Sequence, residues 1–141
     1  METIQKPKNM KAVIFAGGVG TRMWPMSRKK TPKQFQLLIG ERSIFQQTLE
    51  RVKKGFEPED IFISTGEQYK ELVVHQAPEI PLKNLIMEPE RRDSLGAVGY
   101  ATAYVHKYFP NSVIAAVWGA DHLVEDADAF IEAIHLAGNI A

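Results

Sequence analysis

Residues 15–28 read FAGGVGTRMWPMSR. Gly17, Gly18 and Gly20 fall within four positions, and Arg22 stands two residues after the last of them. From residue 21 to residue 34 there are five bases, Arg22, Arg28, Lys29, Lys30 and Lys33, and no acid. Glycines let backbone N–H groups turn inward and approach a ligand closely. A guanidinium can fork onto two phosphate oxygens, and an ammonium adds a point charge. Together these residues favour an anion, and a phosphate chain above others. The plainer reading is a glycine turn beside a solvated basic loop.

Two familiar phosphate loops can be tested against the spacing. The dinucleotide fingerprint G-x-G-x-x-G is met at Gly18 and Gly20 but has Met23 at its last position. The Walker loop G-x-x-x-x-G-K-S/T has no match, because no glycine precedes a Lys-Ser or Lys-Thr pair. Pro25 also stops a long helix from starting directly at the loop. A dinucleotide-dependent oxidoreductase is disfavoured on this ground. The chain has no cysteine, which removes disulfides, thiolate nucleophiles and Cys-based zinc sites together. His75, His106 and His135 show no ligand spacing and read as surface or packing residues.

The elements that must position the loop follow the order strand, loop, helix, four times. Short apolar runs predict strands over 11–16, 60–65, 84–87 and 112–118. Helices are predicted over 43–54, over 66–76, from Asp93 or Ser94 to 109, and from a cap at Asp126 or Asp128 onward. Ser43 and Gln46 make an S-x-x-Q capping box, Phe45, Leu49 and Val52 share a face, and Gly55 can end that helix. Gly96, Ala97, Gly99, Ala101 and Ala103 suggest close packing of the third helix on a sheet. The run SVIAAVW at 112–118 reads as a strand buried on both faces. The last helix is expected to turn Phe130, Ile131, Ile134 and Ala137 inward.

This order implies an α/β domain with a mainly parallel sheet and helices on both faces. Ligands of such sheets sit beyond the carboxyl ends of the strands. Those ends are 17–20, 65–66, 88–93 and 119–121, and three of the four carry unusual chemistry. The 141 residues suffice for one domain. Four strands would leave sheet edges to be paired or covered. Residues 1–141 are therefore expected to be the N-terminal, nucleotide-binding part of a longer domain, truncated after about four strands. Seventeen basic and seventeen acidic residues cancel, which argues against a general nucleic-acid binder. The start, METIQKPKNM, lacks the apolar core of a signal peptide, and no apolar run approaches the ~18 residues of a membrane helix. The expectation is a cytoplasmic protein with no nucleic-acid or membrane partner. A homo-oligomer is allowed but not specified.

The stretch AGGVGTRMWPMSR, followed by TPKQF, resembles the nucleotide-binding signature of the sugar-phosphate nucleotidyltransferases. Its Met-Trp-Pro-Met-Ser and Pro-Lys-Gln-Phe variants look like those of the mannose-1-phosphate guanylyltransferases. LIMEPERRDSLGA is similar to that family's Glu-Pro-x-x-Arg-Asn-Thr-Ala-Pro-Ala segment, and GADHLVED to its Ser-Asp-His segment. The three signals stand in the family's order across nearly the whole chain. The resemblance implies a Rossmann-like α/β/α fold and a reaction that joins mannose 1-phosphate to GTP, giving GDP-mannose and pyrophosphate. It implies that Arg22 and Lys33 are catalytic, and that Gly17, Gly18, Gly20, Thr21, Arg22, Glu88, Arg92, Asp93 and Ser94 bind the nucleotide. It also implies that Asp121 ligates Mg²⁺, where the plain reading is an aspartate capping a turn. His122 beside it is given no metal role, because adjacent side chains diverge.

Guanine presents two donors beside an acceptor, so its site needs carboxylate or carbonyl acceptors next to a donor, and residues 88–94 can supply both. That segment also reads as an ordinary strand-to-helix connection. Asp93 stands where the family has Asn, and Leu95-Gly96 replace Ala-Pro. The first adds negative charge near the nucleotide, and the second loosens the helix start. Trp24 and Trp118 flank the expected site, though core packing explains them equally well. The alternatives are another pair, such as glucose 1-phosphate with UTP or dTTP, and a nucleotide-binding or regulatory module without turnover.

Overall fold

The structure is a computed structural model that describes residues 5–18, 32–37, 41–90, 93–118 and 124–141. The four apolar runs form strands: β1 (Met10–Phe15), β2 (Ile61–Gly66), β3 (Leu85–Glu88) and β4 (Val113–Trp118). They make one parallel sheet in the order β3-β2-β1-β4. Four helices follow them in turn: α1 (Ile44–Lys53), α2 (Lys70–Gln76), α3 (Asp93–Tyr108) and α4 (Ala127–Ile140).

The alternation of side chains along β1 sorts the helices into layers. Ala12, Ile14 and Ala16 share a core with Phe45, Leu49 and Val52 of α1, Val73 of α2 and Ile131 of α4. Val13 and Phe15 point the other way and pack with Phe62, Ile86, and Ala101 and Val105 of α3. The result is an α/β/α arrangement with α3 alone on its face among the described helices. The chain runs outward from β1 through β2 to β3, then crosses α3 to land on the opposite side of β1. That reversal opens a crevice at the carboxyl ends of β1 and β4, the customary ligand position in such sheets.

Local signals explain where the helices begin. The Ser43 hydroxyl accepts from the Gln46 N–H at 3.1 Å, and the Gln46 side chain accepts from the Ser43 N–H at 3.0 Å, so the capping box is complete. Asp126 caps α4 by accepting from the Ala129 N–H at 2.9 Å. Gly66 still belongs to β2, and a 3-10 turn (Glu67–Tyr69) precedes α2, which is therefore shorter than the spacing predicts.

Three expectations need correction. β4 is not buried on both faces: among the described residues it pairs with β1 alone, and within it only Val117 is buried. In α3 the small residues are not all packed: Ala101 is buried, but Gly99 and Ala103 face solvent. In α4 the inward set is Ile131, His135 and Gly138, with Phe130 and Ile134 partly buried, and Ala137 is exposed. The reason is steric. A Cβ on Gly138 would lie 2.7 Å from Met10 Sδ, and one on Gly55 would lie 2.4 Å from Ile131 Cγ2. Bare backbone at both places lets α4 come down onto β1 and the end of α1. His135 Nε2 then sits 3.2 Å from the Gly55 carbonyl oxygen.

Asp60 ties the foot of the sheet together. The ammonium groups of Lys6 and Lys11 both reach its carboxylate. Burial opposes ionisation of this carboxyl, but the hydrogen bonds from Lys11 and Lys6, with the positive charges of both, outweigh burial and hold its pKa below the ordinary value. A depressed carboxylate contributes stability that is present above its unfolded pKa and lost as pH falls through the folded one. Asp60→Asn is expected to lower the melting temperature at neutral pH and to flatten the loss of stability below about pH 4. Thermal melts from neutral to acid pH check this, and an unchanged acid slope would contradict it.

Candidate functional site

The glycine turn begins where β1 ends, and it is held from beneath. The buried Gln34 amide donates through Nε2 to the Ala16 carbonyl at 2.9 Å and to the Gly18 carbonyl at 3.1 Å. The Thr65 hydroxyl donates to the same Ala16 carbonyl at 3.0 Å. A trans peptide sets its C=O and N–H on opposite sides. With the Ala16 oxygen drawn to Gln34 and Thr65, the Gly17 N–H lies on the opposite side of that peptide from the oxygen. Gly17 itself is exposed. Gly18 has φ of 119°, a region that L side chains rarely adopt, so glycine is required at that position.

Gln34 is itself fixed by packing. It lies in a short 3-10 turn (Lys33–Phe35) whose Phe35 ring meets Phe45 of α1 edge-on at 5.4 Å. The Gln76 amide donates to the Phe35 carbonyl at 3.0 Å, and the Ser43 hydroxyl donates to Gln76 at 2.6 Å. A chain of hydrogen bonds thus runs from the cap of α1 through the end of α2 to the glycine turn.

The second wall comes from the end of β3. Glu88 is the last residue of that strand, and its Oε1 accepts from the buried Ser64 hydroxyl at 2.7 Å. The same oxygen lies 3.5 Å from where a Cβ on Gly17 would stand. Asp93 opens α3 with φ of 53°. Asp and Asn are the residues other than glycine that tolerate this conformation, so the aspartate meets the backbone demand that an asparagine would. Gly17, Gly18, Glu88, Asp93 and Ser94 line one cavity of about 230 Å³. Phe15 and Trp118, stacked at 4.6 Å between ring centroids, complete it at the ends of β1 and β4. Trp118 is 43% exposed, so it is a wall of the crevice more than a core residue. Glu88 also borders a cavity of about 110 Å³ beside Gln68 and another of about 360 Å³ beside Tyr100.

Five of the residues singled out from the sequence therefore meet at one place. Lys33 is half-buried in the turn that carries Gln34 and does not line this cavity. Gly20, Thr21, Arg22, Arg92 and Asp121, with Trp24, lie outside the described residues. Among the described residues, no three of His, Cys, Asp and Glu gather as a metal site. The sequence reading missed Gln34, Ser64 and Thr65. Its available signals were a neutral amide inside a basic loop and two hydroxyls ending an otherwise apolar strand.

A profile of the nucleotidyl transferase family matches residues 11–140. The chain is 35% identical over 133 residues to a mannose-1-phosphate guanylyltransferase of Sinorhizobium fredii, covering 93% of this chain and 26% of that protein. It is 38% identical over 127 residues to the alginate biosynthesis protein AlgA of Pseudomonas syringae pv. tomato, covering 89% and 26%. A crystal structure from Thermus thermophilus, described as a mannose-1-phosphate geranyltransferase, superposes with a TM-score of 0.74 at 31% identity. That likeness covers 89% of this chain and 36% of the other. The chain thus spans about a quarter of the length of the curated relatives it matches.

The strap under the turn is open to a direct check. Gln34→Leu removes both donors and is expected to lower the unfolding free energy by about 1–3 kcal/mol. Gly18→Ala is expected to cost about 1–2 kcal/mol through its positive φ. Gly17→Ala, whose Cβ meets only ordinary contacts, should leave the fold near its original stability. Urea denaturation of the three variants measures these differences, and wild-type stability of Gln34→Leu would remove the strap.

Proposed function

This chain belongs to the nucleotidyl transferase family, and we propose that it forms the nucleotide-binding part of an enzyme transferring GMP from GTP to mannose 1-phosphate. The observation that carries the reading is the cavity that Gly17 and Gly18 line together with Glu88, Asp93 and Ser94, beside a peptide held by Gln34 and Thr65. An oxygen of the sugar phosphate attacks the α-phosphorus of GTP, the bond to the β-phosphate oxygen breaks, and pyrophosphate leaves. No protein nucleophile is needed, so catalysis is positioning and charge neutralisation.

The glycine turn binds the phosphates through backbone N–H groups that need no reorganisation when charge develops. Arg22 neutralises the departing pyrophosphate, and Lys33, outside the cavity wall, adds positive charge for the phosphates from the turn that carries Gln34. Glu88, with one oxygen engaged by Ser64, has acceptor capacity left for the N–H donors of guanine. Gly20, Thr21 and Arg92 complete the nucleotide contacts. Mg²⁺ takes one or two carboxylates and fills its shell with phosphate and water. Asp121 would hold the ion, which when bound would offset phosphate charge. A cytoplasmic location accords with the absence of cysteine.

A second reading is favoured by the share of the relatives that the chain covers, 26% in the Sinorhizobium protein. In it these 141 residues bind nucleotide without turning it over. Pyrophosphate release from GTP and mannose 1-phosphate separates the two, measured on this chain and on a polypeptide of the relatives' full length. Release by the longer polypeptide supports the transferase. Binding with no release in either supports the module. In the longer polypeptide Arg22→Ala is expected to lower turnover at least about a hundredfold, and near-normal turnover would take Arg22 out of the mechanism. Thermal shifts with GTP, UTP and dTTP test the base, with the largest shift expected for GTP.

A further inference from the structure

α1 carries a buried cation that the proposed reaction does not use. Arg51 is only 9% exposed. One of its terminal nitrogens donates to the Thr48 hydroxyl at 3.2 Å, and the guanidinium lies 5.1 Å from the centroid of the Phe130 ring. Its Nε is buried and has no hydrogen-bond partner. The nearby acids are already engaged. Glu50 pairs with Lys53 at 3.1 Å and Arg42 at 3.7 Å, and Asp128 pairs with Lys54 at 2.8 Å. Asp126 caps α4. Among the described residues, no carboxylate pairs with Arg51. A buried charge without a counter-charge is destabilising, and burial accordingly lowers the Arg51 pKa.

A cavity of about 410 Å³ lies at this place, between α1 and the start of α4. Arg42, Gln47, Thr48, Arg51 and Lys54 line it from the α1 side, and Ala127, the first residue of α4, from the other. Glu50 also borders it, with its charge committed to two cations. The N-terminal end of the 14-residue α4 borders the same space, with Asp126 as its cap. The volume is within the range of small-molecule sites. None of its lining residues belongs to the glycine-turn cavity.

We infer that this cavity is a second binding site, for a small phosphorylated metabolite whose phosphate meets the Arg51 guanidinium, with Arg42 and Lys54 at its rim. A phosphate brings oxygens enough to satisfy Nε and a neighbouring nitrogen together, in the forked geometry that guanidinium favours. Arg42 and Lys54 already have Glu50 and Asp128 as partners, so Arg51 is the cation whose charge the phosphate balances.

The test is an NMR titration of the 141-residue chain with inorganic phosphate at constant ionic strength. Saturable shifts are expected at the Arg51 Nε–H and at the amides of Gln47, Thr48 and Ala127. Arg51→Met should weaken binding about tenfold or more. Lys54→Met, at a largely exposed side chain, should weaken it several-fold and decides the matter if the first variant does not fold. Shifts confined to Gly17 and Gly18, no saturable shift, or two variants that bind as the original does would each overturn the site.

Discussion

The site depends on the direction of one peptide plane. The carbonyl of Ala16 is drawn inward by two buried donors, the amide of Gln34 and the hydroxyl of Thr65. Planarity then places the N–H of the next residue on the opposite side of the peptide from that oxygen. A backbone amide held this way needs no reorganisation, which is the condition under which it stabilises developing charge most strongly. The donors come from separate parts of the chain, residue 34 in a turn and residue 65 at the end of β2. The turn is therefore a product of tertiary structure, though its glycines make it look like a local motif.

The sheet order supplies the rest of the geometry. Because the chain returns from β3 to the far side of β1, the ends of β1, β3 and β4 border one crevice. Glu88 enters it from β3 and Asp93 from the first residue of α3, while Phe15 and Trp118 stack across the join of β1 and β4. The backbone at Asp93 lies at φ of 53°, which narrows the choice of residue there to glycine and the short polar side chains. One position thus serves conformation and charge together.

Much of this was legible in the sequence, and the exceptions share a cause. The capping box of α1 was readable because its partners are three residues apart. The strands were readable as apolar runs closed by glycine or proline, and the crevice residues as the segments after them. Gln34 was not readable, because its role lies 16 and 18 residues away in carbonyl groups that no side-chain pattern records. The inner face of α4 was misjudged by about one residue, because Gly138 and Gly55 admit a closer approach than the apolar pattern suggests. β4 read as buried on both faces from its composition, yet it ends the described sheet, and composition does not encode strand order.

The central claim is that the glycine turn, with its amides set by Gln34, receives the triphosphate. Crystals soaked with GTP and Mg²⁺ test it most directly. The account predicts phosphate oxygens about 3 Å from the turn amides, with the base toward Glu88 and the start of α3. Ligand density lodged elsewhere, above a turn left empty, would contradict it.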